Sequence, residues 1–196
     1  MTRARRPVPH AAALAIAAAL IALPASAAPT ATRFEPVVDA AGTRLQLNGA
    51  GTRYRAVFKV YDMALYTNRK VSTAADLLAL PGPKRLQFTA LRDLPGTDLG
   101  RLFLKGMAEN ASKEEMQRHT LASTRLIEVF SGRSKMLPGE SFAMEFVPGK
   151  GTTFYILGKA QGEPVGDAEF FTLVLKIWFG DAPADLMLKN ALLGQD

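Results

Sequence analysis

Between residues 53 and 61 the chain sets Arg53, Arg55, Lys59 and Tyr61 among Ala56, Val57, Phe58 and Val60. Charge placed in apolar surroundings is costly unless it is paired, so strand packing alone does not call for such cations. An arginine presents a planar fork that can hold a carboxylate through two hydrogen bonds. A tyrosine hydroxyl can add another donor. Arg92 leaves a second apolar stretch, Lys84 to Leu91. These groups suit a greasy cavity with a positive end, made for a small amphipathic acid. The candidate ligand-binding set is therefore Arg53, Tyr61, Lys59 and Arg92. Arg55 and Lys59 also suit the ordinary role of solvated strand charges.

Other chemistries lack their residues. The sequence has no cysteine and two histidines, His10 and His119, the first of which falls in the leader described below. Zinc or thiolate chemistry has too few ligands, and a Ser-His-Asp triad would need His119 without a nucleophile elbow to support it. Gly49-Ala-Gly51 lacks the further glycine and the following helix of a dinucleotide fingerprint. No metal and no cofactor is expected, and no residue is assigned a catalytic role.

The elements that must position the candidate residues follow from pattern. Phe34 to Val38 and Arg44 to Leu47 read as short strands around an Ala41-Gly42 turn. Asn48-Gly49 and Gly51 suggest a further turn, after which Arg53 to Tyr66 is rich in strand formers. Ser72 to Leu80 is a short helix or turn, stopped by Pro81-Gly82-Pro83. Lys84 to Leu91 alternates as a strand, with Leu86, Phe88 and Ala90 on one face. A helix over Thr97 to Asn110 places Leu99, Leu102, Phe103 and Met107 on one side. Ser112 to Glu115 forms a capping box opening a helix that carries Met116, Ser123, Ile127 and Phe130 to a cap at Gly132. Ser141 to Phe146 and Thr152 to Lys159 form a hairpin through Val147–Gly151. Asp167 caps a helix through Phe179, apolar nearly all round and so expected to be buried. A last helix runs from about Ala184 to Leu193. Strands, helices, a hairpin and helices again give an α+β fold, an antiparallel sheet with helices on one face.

The first residues have a different character. Arg3, Arg5 and Arg6 precede an apolar run from Ala11 to Leu23, and Pro24-Ala-Ser-Ala27 supplies small residues for a cleavage site. Residues 1–27 are expected to be a cleaved signal peptide and residues 28–196 a single domain, periplasmic or secreted. Without Arg3, Arg5 and Arg6 the 24 basic residues fall to 21 against 18 acidic, a net charge near +3. That is a thin basis for nucleic-acid binding, and none is expected. No membrane-spanning segment is expected after residue 27. The oligomeric state is left open. Without disulfides, stability must come from packing.

Two separated stretches resemble a known family. Gly49-Ala-Gly-Thr-Arg53, Phe58-Lys-Val-Tyr61 and Leu65-Tyr66 are similar to the core motif of the chalcone isomerase-like family, in its exported bacterial branch. Trp178-Phe-Gly-Asp-Ala-Pro183 and Leu188-Lys-Asn-Ala-Leu-Leu-Gly194 are similar to the end of the same domain. The resemblance implies an open-faced β-sandwich whose sheet and helices enclose a ligand cleft. In plant chalcone isomerases the motif arginine polarises the substrate, and a threonine and a tyrosine assist cyclisation. Arg53 falls on that arginine, Tyr61 stands where the threonine would be, and Leu94 to Phe103, with Arg101 nearest, contains no tyrosine. The plant catalytic pair is thus not reproduced. Fatty-acid-binding members hold the ligand carboxylate with an arginine and a tyrosine, which Arg53 and Tyr61 resemble better. The resemblance therefore implies binding of an amphipathic acid, of the fatty-acid class. An intramolecular lyase or isomerase on a conjugated substrate, or a ligandless interaction module, are the alternatives. On one unbroken strand Arg53 and Tyr61 would stand about 26 Å apart. Their convergence requires a turn or bulge between Tyr54 and Val57, where no Gly or Pro marks one.

Overall fold

The computed structural model describes Met1 and residues 32–195. The leader expected over residues 1–27 lies outside them, Met1 apart. A seven-stranded antiparallel sheet runs in the order β1 (Val37–Ala40), β2 (Thr43–Arg55), β3 (Phe58–Thr67), β4 (Lys84–Ala90), β7 (Ser141–Val147), β8 (Gly151–Ile156) and β9 (Lys159–Ala160). A two-stranded ribbon joins β5 (Leu94–Pro95) to β6 (Lys135–Met136). The helices are α1 (Ala74–Ala79), α2 (Gly96–Ala108), α3 (Lys113–Arg118), α4 (Thr120–Ser131), α5 (Ala168–Phe179) and α6 (Leu186–Leu192).

Period-two alternation explains the layering. Tyr61, Met63 and Leu65 of β3, Leu86, Phe88 and Ala90 of β4, and Phe142, Met144 and Phe146 of β7 all join one buried cluster with the apolar sides of α2, α4, α5 and α6. The other sheet face carries polar groups, among them an Arg85–Glu145 ion pair of 2.7 Å with Arg85 stacked over Tyr155. This is the expected α+β architecture, one face covered by helices and the other without them, although Ala40, Leu45, Ala64 and Tyr66 form a small second buried cluster with Phe34 and Val38. Phe88 sits at the centre, stacked on Phe142 at 4.5 Å and tilted against Trp178 at 5.3 Å. Apolar all round, α5 is buried as its pattern requires, with Trp178 fully inaccessible.

Two expectations are corrected. Asn48 to Gly51 is not a turn, because β2 runs unbroken through it. Asn48 is the extra residue of a bulge, with Leu47 opposite Tyr66 and Gly49 opposite Leu65. Its amide binds Val71 O, Val71 N and Leu192 O at 2.8–2.9 Å. Gly49 and Gly51 are glycine because α6 lies against them. A Cβ on Gly49 would meet Ala191 O at 2.3 Å, and one on Gly51 would meet the Ala191 Cβ at 2.8 Å. The helix opened by Ser112 also does not run on to Phe130. It breaks at His119 (φ −109°, ψ 23°), giving α3 and α4. The break turns His119 inward, where it is buried beside Phe170 with ring centroids 6.1 Å apart.

Candidate functional site

The turn that the candidate site required is present. Tyr54 pairs with Lys59 and Arg55 with Phe58, so β2 and β3 form a hairpin closed by Ala56-Val57. Ala56 takes the positive φ, 53°, that such a tight connection demands. No Gly or Asn announces the turn, and for that reason it could not be located by composition. Val60 is the extra residue of a second bulge, since Arg53 pairs with Tyr61 and Tyr54 with Lys59. Arg53 and Tyr61 are therefore direct cross-strand neighbours on one face. The inner face of β2 reads Gly49, Gly51, Arg53. The two glycines seat α6, and Arg53 follows them towards the hairpin tip, where Tyr54 N–H donates to Oδ2 of the α6 cap Asp185.

The Arg53 guanidinium carbon lies 5.6 Å from the centre of the Tyr61 ring, within cation–π range. Its Nε is buried without a hydrogen-bond partner. The Tyr61 hydroxyl accepts from Trp178 Nε1 at 2.8 Å, which leaves its own proton to donate. Burial pushes the Tyr61 phenol above its ordinary range; the Arg53 charge and the Trp178 bond oppose this only in part. The phenol thus stays protonated at neutral pH and acts as a donor rather than a base. Both residues line a cavity of about 200 Å³ together with Leu102, Phe103 and Gly106 of α2, Ile177 of α5, and the charged Lys105 and Glu109. An arginine fork and a phenolic donor in a pocket that also has apolar walls can bind a carboxylate or a phenolate.

Lys59 and Arg92 are not among the lining residues. Lys59 is exposed, and Arg92, also exposed, stands over the Phe58 ring at 5.8 Å. Arg101 is exposed too and pairs with Asp98 at 2.9 Å. Trp178, read from the sequence only as a core residue, supplies the donor that orients Tyr61. The contact spans 117 positions of chain and left no local signal. A larger cavity, about 470 Å³, lies between Lys84, Phe146 and Phe171. Its one buried cation, Lys84, donates to Leu80 O at 2.5 Å and to Gly82 O at 3.4 Å. That ammonium closes the C-terminal end of α1, which accounts for it structurally.

The profile of a family described as chalcone isomerase-like matches residues 29–194. The crystal structure of a fatty-acid binding protein from Arabidopsis thaliana superposes with a TM-score of 0.62 at 14% identity, covering 82% of this chain and 90% of that one. At that identity the likeness is one of fold. No curated protein matches the sequence.

Proposed function

Since the chain belongs to the chalcone isomerase-like family, we propose that it binds a small amphipathic carboxylate, of the fatty-acid class, in the cleft between sheet and helices. Arg53 is the principal anchor for the head group and Tyr61 its partner. One observation carries the reading: the hairpin pairs Arg53 with Tyr61 over a single cavity of mixed polar and apolar lining, with a buried Arg53 donor unmatched. The fatty-acid binding protein of the same fold supports it. A volume of about 200 Å³ lies below the ~300–1,000 Å³ of drug-sized ligand sites, which favours short acyl chains. The plant catalytic threonine and tyrosine have no counterparts here, which favours binding over cyclisation. Export through cleavage after Ala27 is part of the same reading.

Titration of a fluorescent fatty acid tests it. A charge-assisted contact of about 1.5–3 kcal/mol corresponds to a loss of roughly 10- to 150-fold for Arg53→Ala. Arg53→Lys should recover only part of this, because an ammonium cannot reproduce the fork. Equal affinity of folded wild type and Arg53→Ala would remove Arg53 from the site.

A further inference from the structure

The hairpin that carries Arg53 ends in an apolar tip. Val57 and Phe58 are 82% and 62% exposed, at a connection where polar turn residues are the rule. The Tyr54–Asp185 bond of 2.9 Å brings the start of α6 alongside, and there Leu186 and Met187 are 63% and 76% exposed. Leu102, partly exposed on α2, stands at the rim of the Arg53 cavity. Single exposed apolar residues are ordinary, but a clustered set rimmed by charge marks an interaction surface.

The rim is basic. Arg53, Arg55, Lys59 and Arg92 have no carboxylate partner within 4 Å among the described residues. Most nearby acids are engaged elsewhere, Asp98 with Arg101, Glu109 with Lys105, and Asp93 with Lys135, while Asp181, beside the cavity-lining Ala182, is exposed and has no ion pair among the described residues. Asp185 caps α6 through the Leu188 N–H. Protruding apolar side chains within a collar of unpaired cations are complementary to one surface in particular, an anionic lipid bilayer. Apolar groups enter the boundary between headgroups and acyl chains, while arginine and lysine meet the anionic headgroups.

We propose that the β2–β3 tip, with Leu186 and Met187, docks the protein on an anionic bilayer. Val57 and Phe58 insert, and Arg55, Lys59 and Arg92 pair with headgroups. The docking stands on the composition of the tip. Its purpose, to bring the Arg53 cavity to a source of amphipathic acids, rests on the function proposed above.

The test is co-sedimentation of the protein, as recovered from its host, with phosphatidylcholine vesicles that do or do not contain about 30% anionic lipid. The comparison is with the double variant Val57→Ser/Phe58→Ser and with Arg55→Glu/Lys59→Glu. Wild type should partition at least tenfold better onto the anionic vesicles, and added salt should weaken this. Each double variant should lose at least tenfold. The apolar run at residues 11–23, where retained, contributes equally to all three proteins. All four substituted side chains are exposed, so the unfolding midpoint should not move. Equal partition of wild type and variants, or indifference to lipid charge, would overturn the proposal. So would a dimer in analytical ultracentrifugation that the tip substitutions dissociate, since the tip would then join two copies of the chain. Fatty-acid titration without vesicles separates the two readings. Retained titration with lost vesicle binding in the tip variant isolates docking. Vesicle binding by a wild type that takes up no fatty acid would leave docking standing and remove the cavity function.

Discussion

At the scale of single residues, the site depends on a chain of three side chains. Trp178 donates to Tyr61, and Tyr61 lies under Arg53. Trp178→Phe keeps most of the volume and removes the donor. It should weaken the fluorescent fatty acid by a few-fold, since a net hydrogen bond is worth about 0.5–1.5 kcal/mol, and it should cost far less stability than Trp178→Ala. Fatty-acid affinity unchanged in Trp178→Phe would mean that the indole does not orient the phenol. The tyrosines also set a pH dependence. Burial raises the Tyr61 phenol, and it pushes Tyr66 up to about 12. Their unfolded pKa is about 10. Above that pH the unfolded chain sheds protons that the folded chain retains, so the stability these groups contribute is full below about pH 10 and is lost as pH rises through their folded values, about 12 for Tyr66. Denaturant midpoints measured from pH 8 to 11.5 should fall only at the alkaline end. A flat profile would show that the phenols are no harder to ionise when folded.

At the scale of elements, the join between β2 and α6 is the most exacting contact. Asn48 ties the end of α6 and the Val71 segment to the bulge of β2, and Gly49 admits the α6 carbonyls. Gly49→Ala sets a methyl against backbone rather than against a yielding side chain. It should cost about 1–3 kcal/mol or more as overpacking. Asn48→Ala strands buried partners at Val71 and Leu192, with a similar penalty of about 1–3 kcal/mol for each group left unmet. Urea midpoints would measure both losses. Wild-type midpoints for both variants would mean that α6 is not held against β2 as described. The hairpin shows the complementary case. Ala56 adopts a left-handed φ, so Ala56→Gly should be neutral or mildly stabilising, although glycine ordinarily weakens a strand.

At the scale of the whole molecule, the core is a stack of aromatic rings between one sheet face and the helices. Phe88, Phe103, Phe130, Phe142 and Trp178 contact one another with ring centroids 4.5–6.5 Å apart. This packing takes the place of disulfides in a chain without cysteine. Trp178→Ala should cost about 3–5 kcal/mol through the cavity it leaves. For a domain of this size that is a fall in Tm of roughly 6–20 °C. A wild-type melting curve would place α5 at the periphery. Among the described residues no helix is long and apolar enough to cross a membrane. Export predicts that intact mass of the protein taken from its native compartment corresponds to a chain starting at Ala28; retention of Met1 would exclude cleavage.

Much of the fold was legible because it is written in local terms. The alternation of Lys84 to Leu91, the capping box at Ser112, the Asp167 cap and the unbroken apolar run to Phe179 each name their element through neighbours a few positions away. Arg53 and Tyr61 could be named, because a cation and a phenol among apolar residues are conspicuous in one dimension. Whether they meet was not legible. That depends on Ala56 accepting a positive φ and on a bulge at Val60, neither of which carries a compositional mark. Gly49 and Gly51 show the same limit from the other side. Glycine marks both a turn and a close approach, and only the position of α6, about 140 residues later in the chain, decides between them. The break at His119 likewise sets its ring beside Phe170 of α5, a contact that its own segment does not announce. Local chemistry determined which elements form and which side chains are available. Contacts between distant segments decided which of those side chains face one cavity, because register and bulges are set by what packs across the sheet.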